Sequence, residues 1–186
     1  MFRAGIKNNR LSPGRSHMDE SEPVNYRKFS DNDLGSCRKL WEQLTIAHRA
    51  IYDDPSIGGP DPGKFFDEHL EKIGTENIWI AEMDGQVKGL MGLEIGEEEI
   101  TIEPLVIAQS QRGKGIGRGF MEIAIQEAKN RNATFLSVKP VARNLSALRF
   151  FSMNGMTTVG HVELFMDLKN REWKDGLRLH DMDLKY

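Results

Sequence analysis

Four glycines at alternate positions, Gly113, Gly115, Gly117 and Gly119, stand between a β-branched run and an amphipathic helical pattern. Glycines so placed let the backbone curl until several N–H groups point one way. The positive end of the following helix adds to that field, so the place suits a phosphate or pyrophosphate. Lys114 and Arg118 can screen the same charge. The run before the glycines, Ile100 to Ile107, reads as a strand, and Ile116, Phe120, Ile123, Ala124 and Ala128 mark the core face of the helix after them. The dinucleotide fingerprint GxGxxG fails, because Arg118 ends the window opened by Gly113 and Phe120 the one opened by Gly115. A P-loop fails as well: Gln109 stands five residues before Lys114, and Gly115 replaces the hydroxyl residue. The pattern that fits is Arg-x-x-Gly-x-Gly, Arg112 to Gly117. A glycine-rich turn with no ligand is the plain alternative.

The rest of the chain frames this segment. Its 186 residues carry 25 Lys+Arg against 28 Asp+Glu, a net charge of −3, so no basic excess points to nucleic acid or an anionic membrane. No apolar run approaches the roughly 18 residues of a membrane-spanning helix. One cysteine excludes an intrachain disulfide and a thiolate-rich zinc site, and it fits a reducing, cytoplasmic setting. Residues 1–22 lack any apolar period and read as a flexible tail, leaving residues 23–186 as one domain.

Within that domain Val24–Phe29 reads as a short strand, and Ser30 to Asp33 supply helix-capping side chains. Leu34, Cys37, Leu40, Trp41, Leu44, Ala47 and Ile51 then recur at helical spacing, with Cys37 a small core residue. After a loop rich in proline and glycine, Asp61-Pro62 opens a second helix holding Phe65, Phe66, His69, Leu70 and Ile73. Ile78–Met83, Asp84-Gly85 and Val87–Ile95 make a hairpin with a two-residue turn, followed by Glu99–Ile107. Beyond the glycine segment come a strand, Phe135–Val138, and a helix capped by Asn144 and stopped at Asn154-Gly155. Thr157–Leu168 reads as a long strand, Asn170–Gly176 as a loop and Leu177–Tyr186 as a final strand.

Two segments in order, Arg112–Gly117 and the run Asn144-x-x-Ala147-x-x-Phe150-Phe151-x-x-x-Gly155-Met156, resemble the GCN5-related N-acetyltransferase (GNAT) family over roughly Val24 to Tyr186. The resemblance implies a mixed α/β fold. A twisted, mostly antiparallel sheet of about seven strands is flanked by about four helices, with a splay after the fourth strand. It implies acetyl-CoA as acetyl donor, no metal, and a small-molecule or peptide amine as acceptor, with no nucleic acid and no membrane.

Residue by residue, the resemblance implies that Leu105, Val106 and Ile107 pair with the pantetheine arm, and that a backbone N–H of Val106 or Ile107 polarises the thioester carbonyl. Arg112, Gly113, Lys114, Gly115, Ile116 and Gly117 would cradle the pyrophosphate, extending to Arg118. Asn144 would bond the pantetheine arm. Direct attack on a thioester needs a neutral amine, hence a base. Glu103 is the candidate, with an ordinary strand glutamate as the alternative reading. Glu94, Glu163 and His161 stand behind it. Phe151 occupies a position where the family usually has a tyrosine acid; it can pack against the cofactor but not donate a proton. That departure keeps a second reading open, a GNAT-like module that binds or senses acyl-CoA with weak or no transfer. In the family the last two strands often line the acceptor cleft and can pair across a homodimer, which implies a place near the acceptor for His161, Glu163, His180 and Asp181, with ordinary surface strand residues as the alternative reading.

Overall fold

A computed structural model describes residues 23–168 and 171–186 of the chain, so the tail assigned to residues 1–22 lies outside the described residues. Five strands form one sheet in the order β1-β2-β3-β4-β5: β1 (Asn25–Lys28), β2 (Ile78–Met83), β3 (Gln86–Ile95), β4 (Glu99–Ile107) and β5 (Phe135–Val138). All neighbours are antiparallel except β4 and β5, which run parallel. A parallel pair needs a crossover, and α3 (Ile116–Asn130) supplies it. The remaining helices are α1 (Leu34–Tyr52), α2 (Phe65–Ile73) and α4 (Leu145–Met153).

Local chemistry accounts for most boundaries. The Asp33 carboxylate accepts from the Ser30 N–H at 2.9 Å and from its hydroxyl at 3.1 Å, which starts the chain into α1. Arg27 lies 2.7 Å from the same carboxylate and holds it below the usual carboxylate range. Asp84 and Gly85 both take positive φ, 50° and 66°, the conformation a two-residue hairpin turn requires between β2 and β3.

Alternation along the strands splits the core into two layers. On the α3 and α4 face lie Met91, Leu93, Ile100, Ile102, Phe120 and Phe151. On the α1 and α2 face lie Cys37, Leu40, Phe66, Ile78, Ile80, Leu90 and Val106. Cys37 is fully buried, and loss of water pushes its thiol up to about 12, so it serves as packing. One break in the alternation matters. Ile102 and Leu105, three residues apart, share a face, because Met91 pairs with Leu105 and Leu93 with Ile102. Gly92 alone therefore stands opposite both Glu103 and Pro104, a β-bulge in β4.

The C-terminal part departs from the expected seven-stranded sheet. Thr157–Leu168 forms no strand, and Leu177–Tyr186 is not one strand but part of a separate hairpin of β6 (Asp175–Leu179) and β7 (Met182–Lys185). The apolar alternation of Val162, Leu164, Met166 and Leu168 is real, but these side chains are exposed and the segment pairs with no strand among the described residues. The Asp167 carboxylate instead accepts from the Arg171 N–H at 2.9 Å and from the Trp173 indole at 2.8 Å, which turns the chain back on itself. His180 breaks the final strand by adopting a φ of 55° in the turn between β6 and β7.

Phe120 has no exposed surface and meets Tyr26 of β1 edge-on at 5.2 Å. Phe120→Ala is expected to cost about 3–5 kcal/mol, read as a shift in the urea midpoint at unchanged slope.

Candidate functional site

The site begins where β4 outruns β5. Pairing between them covers only Glu99–Ile102 with Phe135–Val138, while β4 continues to Ile107. Residues 103–107 thus have no β5 partner, and the two strands part. Ala108 donates its N–H to Lys88 of β3 at 2.8 Å. Strand alternation then turns the amides of Leu105 and Ile107 toward the open side and that of Val106 toward β3. The Ile107 carbonyl faces the same open side, where the Arg112 Nε donates to it at 3.2 Å.

The chain leaves β4 through a 3₁₀ turn at Gln109–Gln111 and enters the glycine segment. Gly113 and Gly115 take φ of 78° and 87°, which side chains other than glycine adopt only under strain. Among the described residues no backbone carbonyl takes up the N–H groups of Gly113, Lys114 or Gly115. The first helical bond of α3 runs from Gly119 to Gly115 at 3.2 Å, so the amides of Ile116, Gly117 and Arg118 are also unspent. A row of donors results at the positive end of a 15-residue helix. Lys114 and Arg118 are exposed beside it, with Arg118 shared with Glu122 at 3.2 Å.

The other two glycines serve a different purpose from the one their spacing suggests. A Cβ on Gly117 would come within 2.9 Å of the Phe150 ring, and one on Gly119 would run into the Tyr26 hydroxyl. That hydroxyl donates to the Ile116 carbonyl at 2.9 Å. Close packing by α4 and β1, not positive φ, requires glycine there.

Asn144 caps α4: its Oδ1 accepts from the Ala147 N–H at 3.1 Å and from Ser146 Oγ at 2.9 Å. Its Nδ2 has no acceptor among the described residues and stays available. Phe151 is 7% exposed and belongs to the core cluster with Ile116 and Phe120, so it joins α4 to the α3 layer.

Glu103 is exposed, on the α1 and α2 face of the sheet. Its charge favours the protonated forms of both His69 and Lys72. Lys72 pairs with Glu94 at 3.1 Å, so Glu94 and Glu103 share a surface. His161, Glu163, His180 and Asp181 are exposed on the C-terminal segment, and no described contact joins them to Glu103. Sequence reasoning placed His69 on a helical stripe with Phe66 and Ile73 and gave it no part in the site. In the structure it is buried, and its Nε2 donates to the Glu103 carbonyl at 2.8 Å. A histidine on an apolar stripe was the one available signal.

A cleft of about 490 Å³ lined by Arg27, Asp33, Gly85 and Gln86 shares none of these residues. Among the described residues no group of three or more His, Cys, Asp or Glu side chains could hold a metal, and no helix is long and apolar enough to cross a membrane.

Residues 41–156, more than half of the chain and including the loop, the splay and α4, match the family model described as the acetyltransferase (GNAT) family. The chain belongs to that family. GNAT membership makes it an acyltransferase by descent, with the mixed α/β fold of the family. No curated protein matches it. Among solved structures, it is similar to a transcriptional regulator from Bacillus halodurans C-125 (21% identity, 78% of this chain and 100% of that one, TM-score 0.60). It is also similar to glucosamine-6-phosphate N-acetyltransferase from Arabidopsis thaliana (18%, 80% and 100%, TM-score 0.57). A third is AAC(6')-Iy in complex with the bisubstrate analog CoA-S-monomethyl-acetylneamine (15%, 78% and 99%, TM-score 0.60). At such identities the likeness is one of fold.

Burial lowers the pKa of His69, and that of His48, below the ordinary histidine range. The unfolded chain therefore binds more protons than the GNAT fold once the pH falls below about 6.5, and stability is lost on that side. The denaturation midpoint is expected to be lower at about pH 5.5 than at about pH 7.5, and the drop to be smaller in His69→Gln, whose side chain does not titrate.

Proposed function

We propose that this GNAT chain is an acetyl-CoA-dependent N-acetyltransferase that transfers acetyl to a primary amine of a small molecule or a peptide. The observation that carries the reading is the continuity of two donor rows: the unspent amides of residues 113–118 and the open edge of β4 at Leu105 and Ile107. A pyrophosphate suits the first, since oriented N–H groups at a helix N-terminus hold anions without a large positive charge. An extended amide-bearing arm suits the second, as an added strand would. Asn144 lies at the start of α4, where its Nδ2 can donate to the same arm.

When bound, acetyl-CoA supplies the acetyl group as an activated thioester. Of the two candidate oxyanion donors, Ile107 is favoured over Val106, because the Val106 amide faces β3. The Ile107 N–H holds the negative charge that develops on the thioester oxygen as the amine nitrogen bonds to the carbonyl carbon. Glu103, exposed and free of an ion pair among the described residues, takes the amine proton directly or through a water. The carbon–sulfur bond then breaks, and the thiolate takes a proton from water. Phe151 has none to give, and the Ser146 hydroxyl is committed to Asn144. A thiol of pKa ~8.5 leaves without a strong acid.

Phe151 also favours the second reading, a module that binds acyl-CoA without transfer. Titration calorimetry with CoA, followed by thiol release in the presence of acetyl-CoA and kanamycin, glucosamine 6-phosphate, spermidine or an alanyl peptide, separates the two. Binding with release supports the transferase, binding without release for any amine supports the module, and no CoA binding overturns both. Gly115→Ala is expected to weaken CoA binding at least tenfold, because a β-carbon at positive φ strains the loop. Glu103→Gln is expected to lower kcat/KM about 10²-fold near neutral pH and to flatten the acid limb of the pH–rate profile. An unchanged profile would remove Glu103 from the role of base.

A further inference from the structure

The bulge in β4 leaves the Glu103 carbonyl out of step with the β3 ladder, and a carbonyl in that position must find a donor elsewhere. Two features on the α1 and α2 side meet it. Gly92 has no side chain, and a Cβ there would run into the Glu103 carbonyl, so the oxygen occupies that space. Beyond it, His69 of α2 presents its Nε2 at 2.8 Å. The acceptor is a carbonyl, so Nε2 carries the proton. The imidazole is 7% exposed and lies against the Trp41 ring of α1, 5.1 Å between centroids, which fixes its plane. Helix α2 thus reaches that backbone oxygen directly, and α1 braces the ring that does so.

The position of the bulge decides the phase of everything after it. A one-residue slip in a strand exchanges the side chains and amides that face each side. With the bulge at Glu103-Pro104, the amides of Leu105 and Ile107 face the open edge and the Glu103 carboxylate stands beside it. Moved by one residue, the same edge would present Val106.

We propose that His69 is a positioning residue of the acyl-transfer site: by donating Nε2–H to the Glu103 carbonyl it holds the β4 bulge in the phase that aims the Ile107 amide and the Glu103 carboxylate at the reacting groups. This rests on the transferase reading above and goes beyond it in assigning a role to a buried side chain that touches no substrate. The groups facing the imidazole are Glu103, Lys72 and Glu94, and Lys72 and Glu94 already neutralise each other. The role is thus one of hydrogen bonding rather than charge.

The test compares wild type, His69→Leu and His69→Gln. Glutamine can place an amide donor where Nε2 stands; leucine fills the space without one. Hydrogen exchange followed by mass spectrometry reads the anchor without any acceptor. In His69→Leu, exchange of the β3-facing amides of Val106 and Ala108 is expected to quicken at least tenfold while that in α3 stays unchanged, and His69→Gln is expected to restore it. With whichever amine the screen shows to be acetylated, kcat of His69→Leu is expected to fall about tenfold or more while the Kd for CoA, to which the loop amides of residues 113–118 contribute apart from the bulge, rises by a smaller factor than kcat falls. Recovery in His69→Gln completes the pattern. A merely structural histidine would lower the denaturation midpoint of His69→Leu and leave kcat and local exchange of the folded protein alone, which would overturn the proposal. So would a kcat that glutamine fails to recover. Nitrogen NMR of the wild-type imidazole gives an arm that needs no variant: the Nε2–H tautomer with a slowly exchanging proton supports the anchor, and the Nδ1–H tautomer overturns it. If wild type acetylates nothing, the transferase reading fails, while the exchange and tautomer arms still decide whether His69 holds the bulge.

Discussion

The structure depends on a mismatch of lengths. β4 has nine residues and β5 has four, and they run parallel from the same end. Antiparallel neighbours can be trimmed to equal length by a short turn, but a parallel pair is joined by a helix that can leave one strand early. Here the crossover begins only after β4 has run five residues past its last β5 partner. The sheet is opened from within, between two strands, instead of at its rim. Every polar group on that inner edge must be met by something other than the sheet. The Arg112 contact to the Ile107 carbonyl meets one of them, and the amides of Leu105 and Ile107 stay open among the described residues.

The two faces of the sheet divide the labour that follows. On one face α3 and α4 meet through Phe120, Phe151 and the approach of Phe150 to Gly117, so the N-terminal end of α3 is set by hydrophobic packing. On the other, α1 and α2 meet β4 through Trp41, His69 and Phe66, and the carboxylates Glu94 and Glu103 come to the surface beside them. In the proposed transferase the donor and acceptor sides would be built by different layers that share the sheet between them. Substitutions in one layer should leave the binding functions of the other largely intact, since distant sites without shared partners behave independently.

Elements from Val24 to Met156 were legible because each carries its own local signal. Asp84-Gly85 demands a hairpin, Asn144 a helix start, and the stripe from Leu34 to Ile51 a helix against a sheet. The glycine segment was legible as a turn that opens a helix for the same reason. What the residues did not disclose depends on partners far along the chain. Pro104 within Ile100–Ile107 marks a broken ladder bond, but the one-residue slip itself is defined by register against Gly92. The reasons for Gly117 and Gly119 lie in Phe150 and Tyr26, 33 and 93 residues away by count along the chain. Thr157–Leu168 has the period of a strand, but a strand also needs a neighbour, and Asp167 with Arg171 and Trp173 draws the segment into a turn instead. His69 was hidden by its setting, since on an apolar helix face a histidine resembles any other core residue.

The Tyr26 hydroxyl gives the chain a thermodynamic coupling between its remotest parts. β1 is the outermost strand, three strands removed from β4, yet through Tyr26 it is bonded to the first turn of α3. An edge strand of four residues ordinarily frays with a free energy well below that of the whole domain. Here fraying of β1 must also release the carbonyl of Ile116, the first residue of α3. By linkage, anything that binds and orders the N-terminal turn of α3 draws part of its effect from the far edge, and firmness at that edge returns to the ligand as affinity. The outer strand is in this sense a hidden part of the binding energy.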